Sequence, residues 1–180
     1  FKNIAPGMKL STYSLCGGAI TDDFDNDGLL DVVASTWSSD GPLRIFHNNG
    51  DGNFAGRTGK SGLLGLYGGL NLLSADYNND GNLDILVLRG AWLGARGQYP
   101  NSLLKNNGDG TFREAITLIN STDMATTSLA LADLNGDSRL DLVVGNKKFQ
   151  ENFVYWNDFN AGGGTFSDPV ALPGDATNTH

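Results

Sequence analysis

Short apolar runs alternate along the chain with clusters of glycine, asparagine and aspartate. Runs rich in valine, isoleucine, leucine and phenylalanine are typical of β-strands, and the polar clusters between them are typical of turns. In the middle of the chain the predicted strands are 69–75, 84–89, 101–106 and 112–118. The runs GAIT, DVVAST, LRIFHN and FAGRT precede them, and SLALA, DLVVGN, FVYWN and FSDPVAL follow. No run shows the period of a helix, so the pattern predicts an all-β fold made of four-stranded units.

An acidic pattern, D-x-[DN]-x-D-[GS]-x-x-D, follows the first strand of each unit. Its three copies, which we name loops one, two and three, cover residues 23–31, 76–84 and 133–141. Side-chain oxygens at alternate positions, followed by a tight turn and a last carboxylate, suit a hard cation such as Ca²⁺. The pattern therefore predicts a calcium site in each unit.

We assign the Ca²⁺ ligands by position within the pattern. Positions 1, 3, 5 and 9 supply side-chain oxygens, and position 7, which differs in every copy, supplies a backbone carbonyl. Position 6 is glycine in the first two loops but Ser138 in the third, where a turn with positive φ favours glycine. We therefore expect three Ca²⁺ sites, of which the third is the weakest. The predicted metal ligands are Asp23, Asp25, Asp27, Leu29 and Asp31; Asp76, Asn78, Asp80, Asn82 and Asp84; and Asp133, Asn135, Asp137, Arg139 and Asp141.

Other interpretations of the acidic loops fit less well. Asp, Asn and Gly also form ordinary solvated turns, but three copies in phase with the strands argue against that explanation. An EF-hand or dockerin loop needs a carboxylate at position 12, which holds Ala34, Val87 and Val144, each inside a predicted strand. Tandem nonapeptide calcium repeats do not fit either, because the copies begin 53 and 57 residues apart.

A second marker repeats in phase with the acidic loops. The segments His47–Phe54 and Lys105–Phe112 share asparagine and glycine at hairpin-turn positions, and Trp156–Phe166 is a looser copy. The resulting divisions are 1–16, the last strand of a preceding unit and its connection; 17–68, 69–126 and 127–175, one unit each; and 176–180, a tail. Both ends fall within a unit, so we expect a fragment of a longer chain, or closure by pairing with other copies or a partner.

Charge and residue counts exclude several function classes. The net charge of −8 argues against nucleic-acid binding, because phosphate recognition needs clustered lysine and arginine. Ten aspartates lie in the three loops, so metal binding explains the acidity better than an acidic partner surface does. Cys16 is the single cysteine, which excludes an internal disulfide, and with His47 and His180 it makes a zinc or Cys/His site hard to assemble. No apolar stretch suits a membrane span.

These motifs resemble the FG-GAP repeat, also called the VCBS repeat, of the integrin α propeller. The segments Arg89–Leu93 and Pro100–Phe112 look most similar to proteins that carry this repeat beside an ASPIC/UnbV segment, including the cartilage acidic protein group. The resemblance covers nearly the whole chain. It implies a seven-bladed β-propeller, of which this chain would supply about three blades, with Ca²⁺ between the first and second strands of each blade. Ser138 and the loose third hairpin depart from the family pattern.

The longer connections between second and third strands form a candidate ligand face. In a propeller these connections lie opposite the Ca²⁺ loops, and aromatic residues with arginine are typical of binding hot spots. The simpler alternative is that the tryptophans only pack over unit boundaries. Asn120 begins a glycosylation sequon. The candidate ligand-face residues are Trp37, Trp92, Arg96, Tyr99 and Phe149.

The leading functional hypothesis is a non-enzymatic, Ca²⁺-stabilised binding, adhesion or assembly module. We expect it to be extracellular, at the cell surface or periplasmic, where millimolar Ca²⁺ suits affinities of about 10⁻⁴–10⁻³ M. Its partner would be a protein, and its open edges would pair with the rest of its own propeller or with other copies. One alternative is a carbohydrate-binding propeller. Another is part of a polysaccharide-active enzyme, although no acid/base pair stands out beside the metal ligands. We expect neither nucleic-acid binding nor membrane insertion.

Overall fold

The computed structural model describes residues 16–36, 41–89, 101–118, 126–146, 151–159 and 166–173. These segments form twelve β-strands in three four-stranded sheets, and they contain no helix. None of them could therefore cross a membrane as a long apolar helix. The prediction of an all-β fold with four-stranded units is confirmed.

Each sheet, which we name a blade, consists of four strands that follow one another along the chain. Neighbouring strands are antiparallel, and their order across each sheet is their order in the sequence. Blade one contains β1 (Cys16–Asp22), β2 (Asp31–Thr36), β3 (Arg44–Asn48) and β4 (Phe54–Gly56). Blade two contains β5 (Asn71–Ala75), β6 (Asp84–Leu88), β7 (Asn101–Asn106) and β8 (Phe112–Leu118). Blade three contains β9 (Thr126–Ala132), β10 (Asp141–Asn146), β11 (Phe153–Tyr155) and β12 (Val170–Ala171).

The outer strand of blade three is shorter than its sequence predicts. One strand is expected over 166–172, but the structure has an isolated bridge between Asn157 and Phe166 and a two-residue strand at β12. Pro169, which has no N–H to donate, lies between them. In addition, the N–H of Trp156 donates to the Ser167 hydroxyl at 3.0 Å rather than to a main-chain carbonyl. Proline and side-chain hydrogen bonding therefore interrupt the ladder.

The three blades pack face to face in chain order. Successive residues of a strand point to opposite faces, so one set of side chains contacts the preceding blade and the other the following blade. In β6 all five residues, Asp84–Leu88, are buried because blade two is covered on both faces. This arrangement is that of a partial β-propeller. The two core clusters include Val33, Ile45, Leu72 and Ile85 between blades one and two, and Leu86, Leu103, Leu142 and Tyr155 between blades two and three.

Candidate metal centre

Each acidic loop joins the first strand of a blade to the second. Position 1 of the loop follows β1, β5 or β9 directly, and position 9 is the first residue of β2, β6 or β10. All fifteen predicted ligands lie in described segments, at the same end of their blades. Their assignment as metal ligands stays a prediction, and the contacts below show how each loop is built.

The carboxylate at position 1 closes each loop. In loop one, Asp23 Oδ1 accepts the N–H of Asp27 at 3.1 Å, and Asp23 Oδ2 accepts the N–H of Gly28 at 2.9 Å. Position 1 makes the same pair of bonds in loops two and three. In loop three these N–H groups, led by that of Ser138, hold the pKa of Asp133 below its ordinary value. The main chain thus turns its donors towards the carboxylates and favours their ionised form.

Ser138 takes the conformation of the glycine found at the same position in the other loops. Its φ is 66°, compared with 85° for Gly28 and 86° for Gly81. The shape of the turn is therefore preserved in loop three. What remains is the strain of a left-handed conformation in a residue with a Cβ, about 1–2 kcal/mol. Whether the third site is the weakest stays a prediction.

The carboxylate at position 9 is buried beneath each loop. Asp31 is 1% exposed, and Asp84 and Asp141 are fully buried. Asp84 Oδ1 accepts the N–H of Asn106, the last residue of β7, at 2.7 Å, and blades one and three have equivalent bonds of 2.9 Å. Burial, with a smaller contribution from Asp80 and Asp76, nevertheless raises the pKa of Asp84 to about 7. Burial also raises the pKa of Asp31. A nearby cation would stabilise such buried carboxylates.

Loops one and two contain carboxylate oxygens that lack a donor. Within the described segments, Asp25 Oδ1 and Asp84 Oδ2 are buried and make no hydrogen bond. In loop three, by contrast, both oxygens of Asp141 are used, by the N–H groups of Asn157 at 2.9 Å and Leu134 at 3.0 Å. A buried oxygen without a donor is available to a cation, so the donor sets of loops one and two fit Ca²⁺.

An asparagine at the end of the third strand, or two residues after it in blade three, links neighbouring blades, a role that sequence reasoning missed. The side-chain amide of Asn106 donates to Leu83 O in its own blade at 2.9 Å and to Phe24 O in loop one at 2.8 Å. Asn157 does the same for loop two, with a 2.8 Å bond to Tyr77 O. The available signal was an asparagine at this position in all three units, but it was interpreted only as a turn residue.

Position 2 of each loop carries an apolar side chain towards the next blade. Phe24 is fully buried, with its ring edge-to-face on Phe112 at 5.8 Å between centroids. Tyr77 is 2% exposed and contacts Phe159 in the same geometry at 4.7 Å. Leu134 holds this position in loop three, where no following blade is described, and it is 49% exposed. Loops one and two are therefore part of the interfaces between the described blades.

Basic side chains approach the loop carboxylates, and sequence reasoning missed these contacts as well. Lys105 Nζ lies 2.7 Å from Asp80 Oδ2 in loop two. In loop three, Arg139 turns its guanidinium back to Asp137 Oδ2, at 2.6 Å. Arg139 was predicted only as a carbonyl ligand at position 7. These two cations partly neutralise position 5, so they compete with a metal ion for the same carboxylates.

The predicted ligand face lies outside the described residues. Trp37, Trp92, Arg96, Tyr99 and Phe149 all fall in segments that the structure does not describe, as does Asn120 of the sequon. The carbohydrate-binding hypothesis depends on these aromatic residues and stays a prediction.

Repeated calcium-type loops on stacked four-stranded blades are matched by known sequence families. A family described as FG-GAP-like repeat matches residues 23–87 and 91–144, and one described as FG-GAP repeat matches 125–164. The chain belongs to the FG-GAP repeat family. These repeats form interaction and adhesion modules, and they generally bind Ca²⁺. The expected resemblance is thereby confirmed.

The curated relatives carry the name cartilage acidic protein 1. The protein from Xenopus tropicalis is 26% identical over 179 residues, and the one from Mus musculus is 24% identical over 152 residues. These alignments cover 97% and 84% of the chain but only 27% and 23% of the relatives. The Homo sapiens protein is 27% identical over 116 residues, which are 64% of the chain and 17% of the relative. The chain thus spans about a quarter of the length of the relatives it matches.

Proposed function

We propose that this chain is part of a non-enzymatic binding and assembly module that Ca²⁺ stabilises outside the cell. Membership of the FG-GAP family supports an interaction module. Millimolar extracellular Ca²⁺ suits loops of this kind, with dissociation constants of about 10⁻⁴–10⁻³ M. The partner is another protein, bound by a scaffold whose blades the metal holds in place.

The observation that carries this proposal is that the main chain of loops one and two is also a contact with the next blade. Phe24 O, between the predicted ligands Asp23 and Asp25, accepts the Asn106 amide at 2.8 Å and the N–H of Gly110 at 3.1 Å. Fixing the two aspartates on an ion would therefore also fix the carbonyl that blade two binds. The metal acts as a structural link, and its removal should loosen the interface between the blades.

A Ca²⁺ titration tests this proposal. Isothermal titration calorimetry should show Ca²⁺ binding, and Ca²⁺ at ten times its dissociation constant should add about 1.4 kcal/mol to the free energy of unfolding for each site. The matched control replaces position 5 in all three loops (Asp27→Asn, Asp80→Asn and Asp137→Asn), which should abolish the effect. An unfolding transition that is identical in Ca²⁺ and in EDTA would contradict the proposal.

Among the described residues, no blade covers the outer face of blade three, which supports assembly with a further blade. Val33 and Leu86, at equivalent positions of β2 and β6, are fully buried by the following blade, whereas Val143 of β10 is partly exposed. A groove of about 330 Å³ lies here, bordered by Ala130, Val143 and Leu172. Because the two described interfaces use the same positions, we propose that another blade of the same propeller covers this face.

Analytical ultracentrifugation tests this part of the proposal. If a blade of the same propeller is the natural cover, a longer chain containing the next repeat should be monomeric, and Val143→Glu should destabilise it. If this face instead binds the same face of a second copy, the longer chain will dimerise through the Val143 face, and Val143→Glu will abolish the dimer. The second result would contradict the proposal.

A further inference from the structure

The residue before the linking asparagine differs in each blade. It is His47 in blade one, Lys105 in blade two and Trp156 in blade three. In blade two the lysine ammonium pairs with position 5 of the loop. In blade one the residue at this position, His47, places its imidazole ring beside loop one, which has four carboxylates. The first loop therefore offers a nitrogen ligand that the other two loops lack.

His47 is buried against the carboxylates of loop one. Its Nδ1 lies 3.0 Å from Asp25 Oδ2 and 3.2 Å from Asp31 Oδ1, and its Nε2 lies 3.8 Å from Asp27 Oδ2. The residue is 8% exposed. Among the described residues, His47 Nδ1 has no partner in hydrogen-bonding geometry, and neither has Asp25 Oδ1 beside it. Two neighbouring polar atoms are thus buried without a hydrogen bond in the described structure.

Two of these separations match those between ligand atoms of one small metal ion. Zn²⁺ binds histidine nitrogen and carboxylate oxygen at about 2.0–2.2 Å, so two ligands of one ion lie about 2.8–3.6 Å apart at octahedral or tetrahedral angles. The distances from His47 Nδ1 to Asp25 and Asp31 fall in this range, whereas the distance from Nε2 to Asp27, which belongs to the wider group of possible ligands, is longer. Imidazole nitrogen is a good ligand for Zn²⁺ and for other transition-metal ions such as those of copper, iron and nickel, whereas Ca²⁺ binds oxygen ligands.

The number of carboxylates in loop one also favours binding of a divalent cation. Its four carboxylates face one guanidinium, that of Arg57, which lies 3.2 Å from Asp25 Oδ2 and is 40% exposed. Loops two and three each have three carboxylates and a cation directly on position 5. Loop one therefore has one more carboxylate than either of the other loops, and the guanidinium beside it contacts position 3 rather than position 5.

We propose that loop one is a mixed nitrogen and oxygen site, in which His47, Asp25 and Asp31 bind a divalent transition-metal ion such as Zn²⁺ more tightly than Ca²⁺. This inference rests on the proposed role of loop one as a cation site. The scarcity of histidine and cysteine made a zinc site hard to expect from the sequence, but the acidic loop supplies the missing ligands. Loops two and three, without a histidine, remain sites for Ca²⁺.

Zinc titration with a spectroscopic readout tests the inference. Isothermal titration calorimetry of the 180-residue chain, with Ca²⁺ present, should show one Zn²⁺ site, and His47→Gln should weaken it at least about tenfold. Long-range ¹H–¹⁵N spectra should show a metal-induced shift of one His47 ring nitrogen. His180→Ala is the matched control, because it removes the second histidine of the sequence and should leave the zinc affinity unchanged.

A second variant keeps the test valid if His47→Gln folds poorly. His47→Lys gives the loop carboxylates the partner that Lys105 provides in blade two, and it should also lose the zinc site. Zinc affinity within twofold of the wild type in both variants would overturn the inference, as would an unshifted His47 ring or loss of binding in His180→Ala. Zinc bound through His47 in a chain that binds no Ca²⁺ would contradict the proposed function and leave this inference standing.

Discussion

The side-chain amide of Asn106 donates a 2.8 Å hydrogen bond to the carbonyl oxygen of Phe24, across the interface between blades one and two. The same amide donates to Leu83 O at 2.9 Å. Asn106 itself is fully buried. The Asn106 side chain therefore hydrogen-bonds both loop one, at Phe24, and loop two, at Leu83.

Removing this amide should destabilise the protein. Asn106→Ala removes the side-chain donor of Leu83 O and one of the two donors of Phe24 O, which keeps the N–H of Gly110, and each hydrogen bond lost from a buried group costs about 1–3 kcal/mol. We expect a loss of at least about 2 kcal/mol in the free energy of unfolding, measured by urea denaturation. Asn107→Ala is the matched control, because Asn107 is exposed and bonds to Thr111. Equal losses in the two variants would contradict the structural role of Asn106.

Position 2 of the loops gives a second comparison. Phe24→Ala removes a fully buried ring from the interface between blades one and two and should cost about 3–5 kcal/mol. Leu134→Ala changes the equivalent position, which is 49% exposed, and should cost less than about 1 kcal/mol. Thermal and urea unfolding of the two variants check this difference. A large loss from Leu134→Ala would show that the face of blade three is already covered.

The strands were predictable because their signals are local. The run Asp84–Leu88 is apolar after its first residue and follows the acidic loop at fixed spacing, and it forms β6 as expected. The run from Phe166 to Leu172 misled most, because a pattern of apolar residues does not register the missing N–H of Pro169 or the hydrogen bond of the Ser167 hydroxyl at the strand edge.

The contacts within the candidate site were less predictable because they join distant parts of the chain. Asn106 and Phe24 are 82 positions apart, and neither segment contains a sequence signal that predicts contact with the other. Similarly, His47 stands in a hairpin-type motif, and only the pairing of β2 with β3 brings it beside Asp25 and Asp31. The acidic positions could be found by spacing alone, whereas the neutralising groups could not.

Ser138 provides a test of strain in loop three. Since its φ is 66°, Ser138→Gly should relieve the left-handed conformation and raise the free energy of unfolding by about 1 kcal/mol. The reciprocal change, Gly81→Ser, should lower it by a similar amount, because a Cβ at Gly81 would meet no atom within 4 Å and only the backbone conformation is strained. Calorimetric unfolding in EDTA measures both. Unchanged stability in both variants would exclude strain as the reason for a weak third site.

Asp84 predicts how stability depends on pH once metal is removed. Its folded-state pKa is about 7, above the ordinary value of 3.8, so the folded chain binds its proton more tightly than the unfolded chain does. The contribution of this group to stability is therefore fully present below about pH 4 and is lost as the pH rises through 7. In EDTA, the free energy of unfolding should fall between pH 5 and pH 8, by up to about 3 kcal/mol from this group.

Asp84→Asn should reverse its effect when calcium is added. The amide oxygen can still accept the N–H of Asn106, but no buried charge remains, so in EDTA at pH 8 the variant should be at least as stable as the wild type. In saturating Ca²⁺ it should be less stable, because a charged ligand is missing. Asp168→Asn, at an exposed aspartate, should show neither change. If Asp84→Asn is the less stable protein by the same amount in EDTA and in Ca²⁺, then Asp84 does not bind the ion, because a ligand must lose more in the presence of its metal.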